Sequence, residues 1–182
     1  MSSPTAADPL DAALERAVTR LGDASGTSEQ IRQHFAFGER TCPERTCGEL
    51  VVHAAGDAAA ALDAASAVTI LAAATRVHGD LATGIAERGG RSTVWAKFGV
   101  AHGINAGDAL AAVASLALTE DLAGPPPRML AMMRALHEAY LAASDDRARA
   151  IARDRLDELE DVPEALRTVA HRLGALVAGA QA

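Results

Sequence analysis

Apolar positions recur along the chain at the spacing of an α-helix. In the segment that begins at Pro9, aliphatic side chains stand three or four positions apart, at Leu10, Leu14, Val18 and Leu21. This spacing places them on one face of a helix. No segment shows the strict alternation of apolar and polar residues that is typical of a half-buried β-strand. The pattern therefore predicts an all-α fold.

Capping residues and glycine or proline breaks divide the chain into helices. The predicted helices begin at Pro9, Thr27, Pro43, Ala58, Thr93, Ala106, Arg128 and Pro163. Gln30 follows Thr27 by three positions, as in a capping box. The Ala58 helix is expected to end near His78, before a glycine-rich loop, and the Arg128 helix is expected to run to about Leu159. No long linker interrupts the pattern, so residues 1–8 are predicted to be a disordered lead-in and residues 9–182 a single helical domain.

Composition supports the helical prediction and narrows the possible functions. Apolar residues make up 49% of the 182 positions but only 3% are aromatic, and alanine supplies most of the difference. Alanine favours helices, whereas strands are enriched in aromatic and β-branched residues. The formal net charge is −7, and no dense cluster of lysine and arginine is present. A nucleic-acid binder needs such a basic patch, so we expect no nucleic-acid partner.

The apolar windows of the sequence do not predict a membrane span. They lie around residues 58–77 and 104–118, and Asp63, Arg76 and Asp108 interrupt them. Their apolar residues are mostly alanines, which insert weakly into a bilayer. The first residues show neither the basic nor the apolar region of a secretory signal. A cytoplasmic location is therefore expected.

The two cysteines, Cys42 and Cys47, leave three interpretations open. They could form a metal pair with His34 or His53, or a redox pair. A structural zinc site usually has four ligands at tighter spacing. We therefore favour the third interpretation, two unpaired and partly buried thiols.

The most informative stretch runs from Arg76 to Leu110. His78-Gly79-Asp80 stands at the end of a long predicted helix, Arg88, Gly90 and Thr93 follow, and Ala106-Gly-Asp-Ala-Leu110 lies on the next long helix. This combination resembles the trans-isoprenyl (polyprenyl) diphosphate synthase family. In that family a helix ends in His and a DDxxD motif, a loop with paired arginines follows, and the next helix carries Ala-Gly-Asp-Ala-Leu. The resemblance implies an isoprenoid-synthase-type helical bundle, which we expect to be truncated at the C-terminus.

The resemblance also implies a chemistry and a set of site residues. Family members ionise an allylic diphosphate, and the leaving group is stabilised by Mg²⁺ on aspartates and by basic side chains. By resemblance, Arg88, Arg91 and Lys97 are candidates for binding a diphosphate and Asp80 for binding a metal, whereas the catalytic residues are unknown. The alternative is that the charges of this loop are merely solvated.

The sequence departs from the family where the chemistry depends on charge. The DDxxD register falls on Gly79-Asp80-Leu81-Ala82-Thr83, so one carboxylate of three remains. The resemblance then implies no cofactor, or Mg²⁺ bound weakly together with an allylic diphosphate. The family's Gly-Gly-Lys-Arg-x-Arg-Pro aligns with residues 37–43, where Glu39 replaces the lysine and Cys42 the second arginine. A carboxylate in place of an ammonium group repels a polyanion.

Three functions remain open at this point. The favoured one is a non-catalytic or regulatory subunit of isoprenoid biosynthesis, acting as a homodimer or as a heterodimer with a full-length polyprenyl diphosphate synthase. The alternative is a short class I terpene-synthase-like or prenyltransferase enzyme that acts on an allylic diphosphate with Mg²⁺. The third is a decayed reading frame that folds without a function.

Overall fold

The structure, a computed structural model, describes residues 8–19, 27–35, 43–119, 125–159 and 161–179. Within these ranges the chain is a bundle of eight α-helices: α1 (Pro9–Thr19), α2 (Ser28–Phe35), α3 (Pro43–Ala55), α4 (Ala58–Thr83), α5 (Val94–Phe98), α6 (Val100–Leu118), α7 (Pro126–Ala152) and α8 (Glu164–Val177). A 3₁₀ turn, Leu156–Glu158, lies between α7 and α8. The predicted all-α bundle is confirmed. The predicted lead-in of residues 1–8 lies, except for Asp8, outside the described residues.

Helix α4 is the centre of the bundle and contacts α1, α3, α6, α7 and α8. Its first turn is capped by Asp57, whose Oδ1 accepts hydrogen bonds from the backbone N–H groups of Ala59 and Ala60, as an N-cap aspartate does. Short alanine side chains let the neighbouring helices approach closely. By length and composition α4 could cross a membrane, but 72% of its most apolar window is buried inside the fold, as in a core helix.

Three predicted helix boundaries differ from the structure. Helix α4 continues past His78 to Thr83, because Gly79 adopts helical geometry and the left-handed residue that ends the helix is Gly84, at φ 70°. A helical glycine costs only about 1 kcal/mol relative to alanine, so it does not by itself stop a helix. Helix α6 begins at Val100 rather than at Ala106, and α7 ends at Ala152, well before Leu159.

A short β-hairpin, which the sequence did not predict, follows α4. Strand β1 (Glu87–Arg88) pairs antiparallel with β2 (Arg91–Ser92), and Arg88 lies opposite Arg91. The turn residues Gly89 and Gly90 have φ of 55° and 76°, as the tight turn of a hairpin requires. Two-residue strands are too short to show a period in the sequence. The hairpin returns the chain to the end of α4 and places Arg88 there.

Candidate functional site

A cleft of about 380 Å³ lies at the C-terminal end of α4. Its walls include Arg76, Gly79 and Thr83 of α4, Arg88 of the hairpin, and Asp161, which precedes α8. These residues are brought together because α4, the hairpin and the segment before α8 all end at this side of the bundle. The cleft therefore coincides with the region that carries the resemblance to the synthases.

The residues in the DDxxD register do not present carboxylates to this cleft. Gly79 and Thr83, one turn apart, line it, and neither has a carboxylate. Thr83 Oγ1 instead donates a hydrogen bond to the backbone oxygen of Gly79 at 2.8 Å. Asp80 does not line the cleft and is 4% exposed. Positions four apart on a helix share a face. Positions 79 and 83 are therefore the two on α4 best placed to bind a metal in the cleft, and neither has an acidic side chain.

The carboxylate of Asp80 is instead held by Arg88. Arg88 Nε donates a hydrogen bond to Asp80 Oδ1 at 2.6 Å. Burial raises the pKa of Asp80 above its ordinary value, and Arg88, His34 and Arg76 oppose that rise. The candidate metal ligand and a candidate diphosphate ligand are thus paired with each other. Their roles in binding stay predictions.

Arg88 is the end of a larger ion-pair network. Its Nη1 lies 2.9 Å from Asp161 Oδ1, and Arg76 Nη2 lies 3.1 Å from Asp161 Oδ2. Arg76 also pairs with a second carboxylate, since its Nη1 lies 2.9 Å from Glu44 Oε1. The Glu44 side chain is 1% exposed, and it also lies 3.5 Å from His34 Nε2. The network joins α2, α3, α4, the hairpin and the segment before α8.

The other two candidate diphosphate ligands, Arg91 and Lys97, do not line the cleft. Arg91 is half-buried on β2, opposite Arg88. Lys97 is exposed, donates a hydrogen bond from Nζ to Gln33 Oε1 at 2.8 Å, and lies 4.9 Å from the centre of the Phe98 ring. Of the three basic residues, only Arg88 is placed at the cleft. Binding by any of them has not been tested and stays a prediction.

Among the described residues no group of three or more His, Cys, Asp and Glu side chains is arranged to hold a metal ion. Cys47 is a free, buried thiol, and burial raises its pKa to about 12, with Glu44 adding to the rise and Arg167 opposing it. A thiol in this state is a poor metal ligand and a poor nucleophile. Residues 37–42 lie outside the described residues. The structure therefore does not test the replacement of the family's lysine by Glu39 or of its second arginine by Cys42.

Sequence reasoning missed three members of the network: Glu44, Arg76 and Asp161. A signal was present for two of them. Arg76 interrupts an otherwise apolar helix, and Glu44 stands in the first turn of α3 at a position that the helical pattern places inward. Opposite charges at two inward positions indicate a buried ion pair. Nothing in the local sequence places Asp161 beside them, because that contact depends on how the chain returns from α7 to α8.

Several solved structures are similar to the described fold. The polyprenyl synthetase from Streptomyces coelicolor A3(2) matches with a TM-score of 0.79 and 25% identity, over 95% of this chain and 56% of its own. The geranylgeranyl pyrophosphate synthetase from Geoglobus acetivorans matches with a TM-score of 0.74 and 20% identity, over 96% and 60%. An FPP/GFPP synthase from Zymomonas mobilis matches with a TM-score of 0.74 and 21% identity, over 94% and 72%.

These matches settle the fold across nearly the whole chain, which spans a little over half of the length of the first two structures. No protein-family model and no curated protein sequence matches the chain. The family resemblance seen between Arg76 and Leu110 is nevertheless confirmed by structure. The chain has the fold of the polyprenyl and geranylgeranyl diphosphate synthases, as the resemblance to the trans-isoprenyl (polyprenyl) diphosphate synthase family predicts.

Proposed function

We propose that the chain acts in isoprenoid biosynthesis as a non-catalytic or regulatory subunit, in the cytoplasm. It pairs with a second copy or with a full-length polyprenyl diphosphate synthase and does not transfer a prenyl group on its own. One observation carries the proposal: the only carboxylate left in the DDxxD register, Asp80, is buried and bound to Arg88.

Ionisation of an allylic diphosphate needs positive charge around the leaving group. Mg²⁺ prefers several oxygen ligands in octahedral geometry. Here Gly79 and Thr83 supply no carboxylate, and Asp80 is occupied by an arginine at 2.6 Å. Arg88 also pairs with Asp161. The two carboxylates neutralise the positive charge of Arg88 that would otherwise stabilise a diphosphate. The cleft of this chain is therefore a poor place to stabilise pyrophosphate.

Exposed apolar side chains on α6 support a role in association. Val100 and Ile104, one turn apart, are 55% and 43% exposed, and Leu116 near the other end of the helix is 54% exposed. Large aliphatic side chains at this exposure favour contact with another protein when they share a face. Val100 and Ile104 share one, since residues four apart on a helix are neighbours.

The test is turnover of labelled geranyl diphosphate with Mg²⁺, by the purified chain alone and mixed with a full-length polyprenyl diphosphate synthase. We expect no pyrophosphate release by the chain alone, co-elution of the two proteins, and a changed product length in the mixture. Release of pyrophosphate by the chain alone contradicts the proposal. So does the absence of both a self-association and a complex with the synthase.

A further inference from the structure

A second cleft, of about 280 Å³, lies at the N-terminal end of α4. Its floor is formed by the first two turns of that helix, at Ala59, Ala60 and Ala64, and its walls are formed by side chains of α1, α6, α7 and α8. Ala60 and Gly79, which lines the first cleft, stand 19 positions apart on α4. This spacing corresponds to about 28 Å along the helix. The two clefts are therefore separate sites.

Most of the described lining of this second cleft is apolar. The short alanine side chains of α4 leave the space open, and larger side chains from three other helices enclose it. They are Leu118 of α6, Met129 and Met132 of α7, and Val177 of α8. Methionine side chains are unbranched and adapt to ligands of different shapes. The interior of the cleft is therefore suited to an aliphatic chain.

Two arginines from different helices line the same cleft, Arg16 of α1 and Arg128 in the first turn of α7. Arg16 is exposed and Arg128 is half-buried, and neither forms an ion pair within the described part of the chain. Guanidinium groups bind carboxylates through paired, charge-assisted hydrogen bonds. The chain as a whole carries a net charge of −7, so this cleft is a local place where an anion is attracted rather than repelled.

Asp63 limits the charge that the cleft can accept. It is the one acidic side chain in the described lining, so the three charged lining residues sum to a formal charge of +1. A singly charged head group balances that charge, whereas a polyanion would leave excess negative charge beside Asp63. The backbone N–H groups of Ala59 and Ala60 already bond to Asp57. The arginines, rather than the start of α4, would therefore hold the anion.

We propose that this second cleft binds a small amphipathic carboxylate. The carboxylate lies on the two arginines, and the aliphatic chain lies between Leu118 and the two methionines. The proposal concerns binding by this chain alone. It stands whether or not the chain is catalytic and whether or not it has a protein partner.

The volume of the second cleft indicates the length of the ligand. At about 280 Å³ it lies just below the usual range for small-molecule sites, about 300–1,000 Å³. It has room for about nine water-sized groups at roughly 30 Å³ each. A straight-chain carboxylate of about eight carbons has about that number of heavy atoms, so octanoate is the probe.

The experiment is calorimetric titration of the full chain with sodium octanoate. Octanol supplies the aliphatic chain without the charge, and acetate supplies the charge without the chain. We expect octanoate to bind with a Kd below about 1 mM, and at least about tenfold more tightly than either comparison compound. Equal binding of octanol would indicate an apolar surface only, and equal binding of acetate a general attraction of anions. Either result overturns the proposal, as does the absence of octanoate binding.

A first pair of variants tests the head-group site. Arg128→Gln removes one guanidinium group and should weaken octanoate binding by about fivefold or more. Arg153→Gln is the matched control, because Arg153 is an exposed arginine at the C-terminal end of α7, outside the cleft. It removes the same charge and should change the affinity by less than about twofold.

A second pair of variants tests the apolar part of the site. Ala60→Phe places a ring in the cleft at an exposed position, so the fold can tolerate it, and it should weaken octanoate binding by about tenfold or more. Ala148→Phe adds the same ring at an exposed position of α7 outside the cleft and should leave binding unchanged. Circular dichroism and thermal melting check that each variant is folded. If Arg128→Gln or Ala60→Phe binds octanoate as the wild type does, or if either control loses as much affinity, the proposal is wrong.

Discussion

The imidazole of His78 occupies the space that a side chain at position 107 would need. A Cβ built on Gly107 would overlap the ring, and no other residue comes as close to that point. The ring lies where α4 crosses α6, with Nε2 3.3 Å from the backbone oxygen of Ile104 and 3.5 Å from Asp108 Oδ1. The histidine on α4 and the Ala-Gly-Asp signature on α6 are therefore two halves of one contact.

Gly107→Ala is expected to destabilise the fold by about 1–3 kcal/mol, because the added methyl group must displace a histidine packed between two helices. Chemical denaturation followed by circular dichroism measures this change. Gly79→Ala is the matched control, since Gly79 is also helical and a Cβ there meets nothing within 4 Å. That variant should gain about 0.5–1 kcal/mol. Equal stability of the two variants would contradict the packing argument.

Arg88→Met should destabilise the protein strongly, because it leaves Asp80 buried without its hydrogen-bonding cation. An unpaired buried charge costs on the order of 3 kcal/mol. Asp80→Asn in the same chain removes that charge, so the double variant should recover much of the loss. The measurement is a double-mutant cycle from urea denaturation. Additive effects of the two substitutions would show that the Asp80–Arg88 pair contributes no coupling.

Much of the fold was predictable from the sequence, but only part of the site. Helix starts at Pro9, Pro43 and Ala58 were predicted correctly because proline and the Asp57 cap act locally. The predicted end of α4, near His78, was wrong because a glycine permits a helix to continue as well as to stop. The pairing of Arg76 with Asp161 depends on distant segments meeting, and no local pattern encodes it.

Asp108 shows the same limit for a single residue. It belongs to the Ala-Gly-Asp-Ala-Leu signature, but the structure leaves its side chain 68% exposed. The buried members of this turn are Ala106 and Gly107. The helical period alone does not decide which side of α6 meets α4; in the structure it is the Gly107 side, against the His78 ring.

Cys47 is expected to make the fold sensitive to alkali. Because burial raises its pKa in the folded state to about 12 from an ordinary 9.0, the folded state disfavours the thiolate. Stability is therefore lost as the pH rises from about 9 towards 12, by up to about 1.4 kcal/mol per unit of pH.

The measurement compares the unfolding free energies of the wild type and Cys47→Ala across this pH range. The cavity left by Cys47→Ala lowers stability equally at every pH, so the difference between the two curves should shrink as the pH rises. Parallel curves would mean that the Cys47 thiol does not titrate differently in the folded and unfolded states.

Ile104→Glu should weaken any association through α6, since it places a charge among the exposed apolar side chains of that helix. Sedimentation or light scattering, alone and with a full-length synthase, should show a shift to the unassociated chain by tenfold or more in Kd. Leu141→Glu is the matched control, because Leu141 is 64% exposed on α7. If Leu141→Glu dissociates the complex and Ile104→Glu does not, the interface lies on α7.

The enclosure of α4 has a consequence for how the protein opens. Its middle turns are covered on every side by other helices, so water reaches their amide hydrogens only when the neighbouring helices separate together. These amides should exchange with deuterium at the rate set by global unfolding, whereas those of the exposed Gly89-Gly90 turn should exchange through local fluctuations. Slow exchange along α4 therefore reports the integrity of the entire bundle.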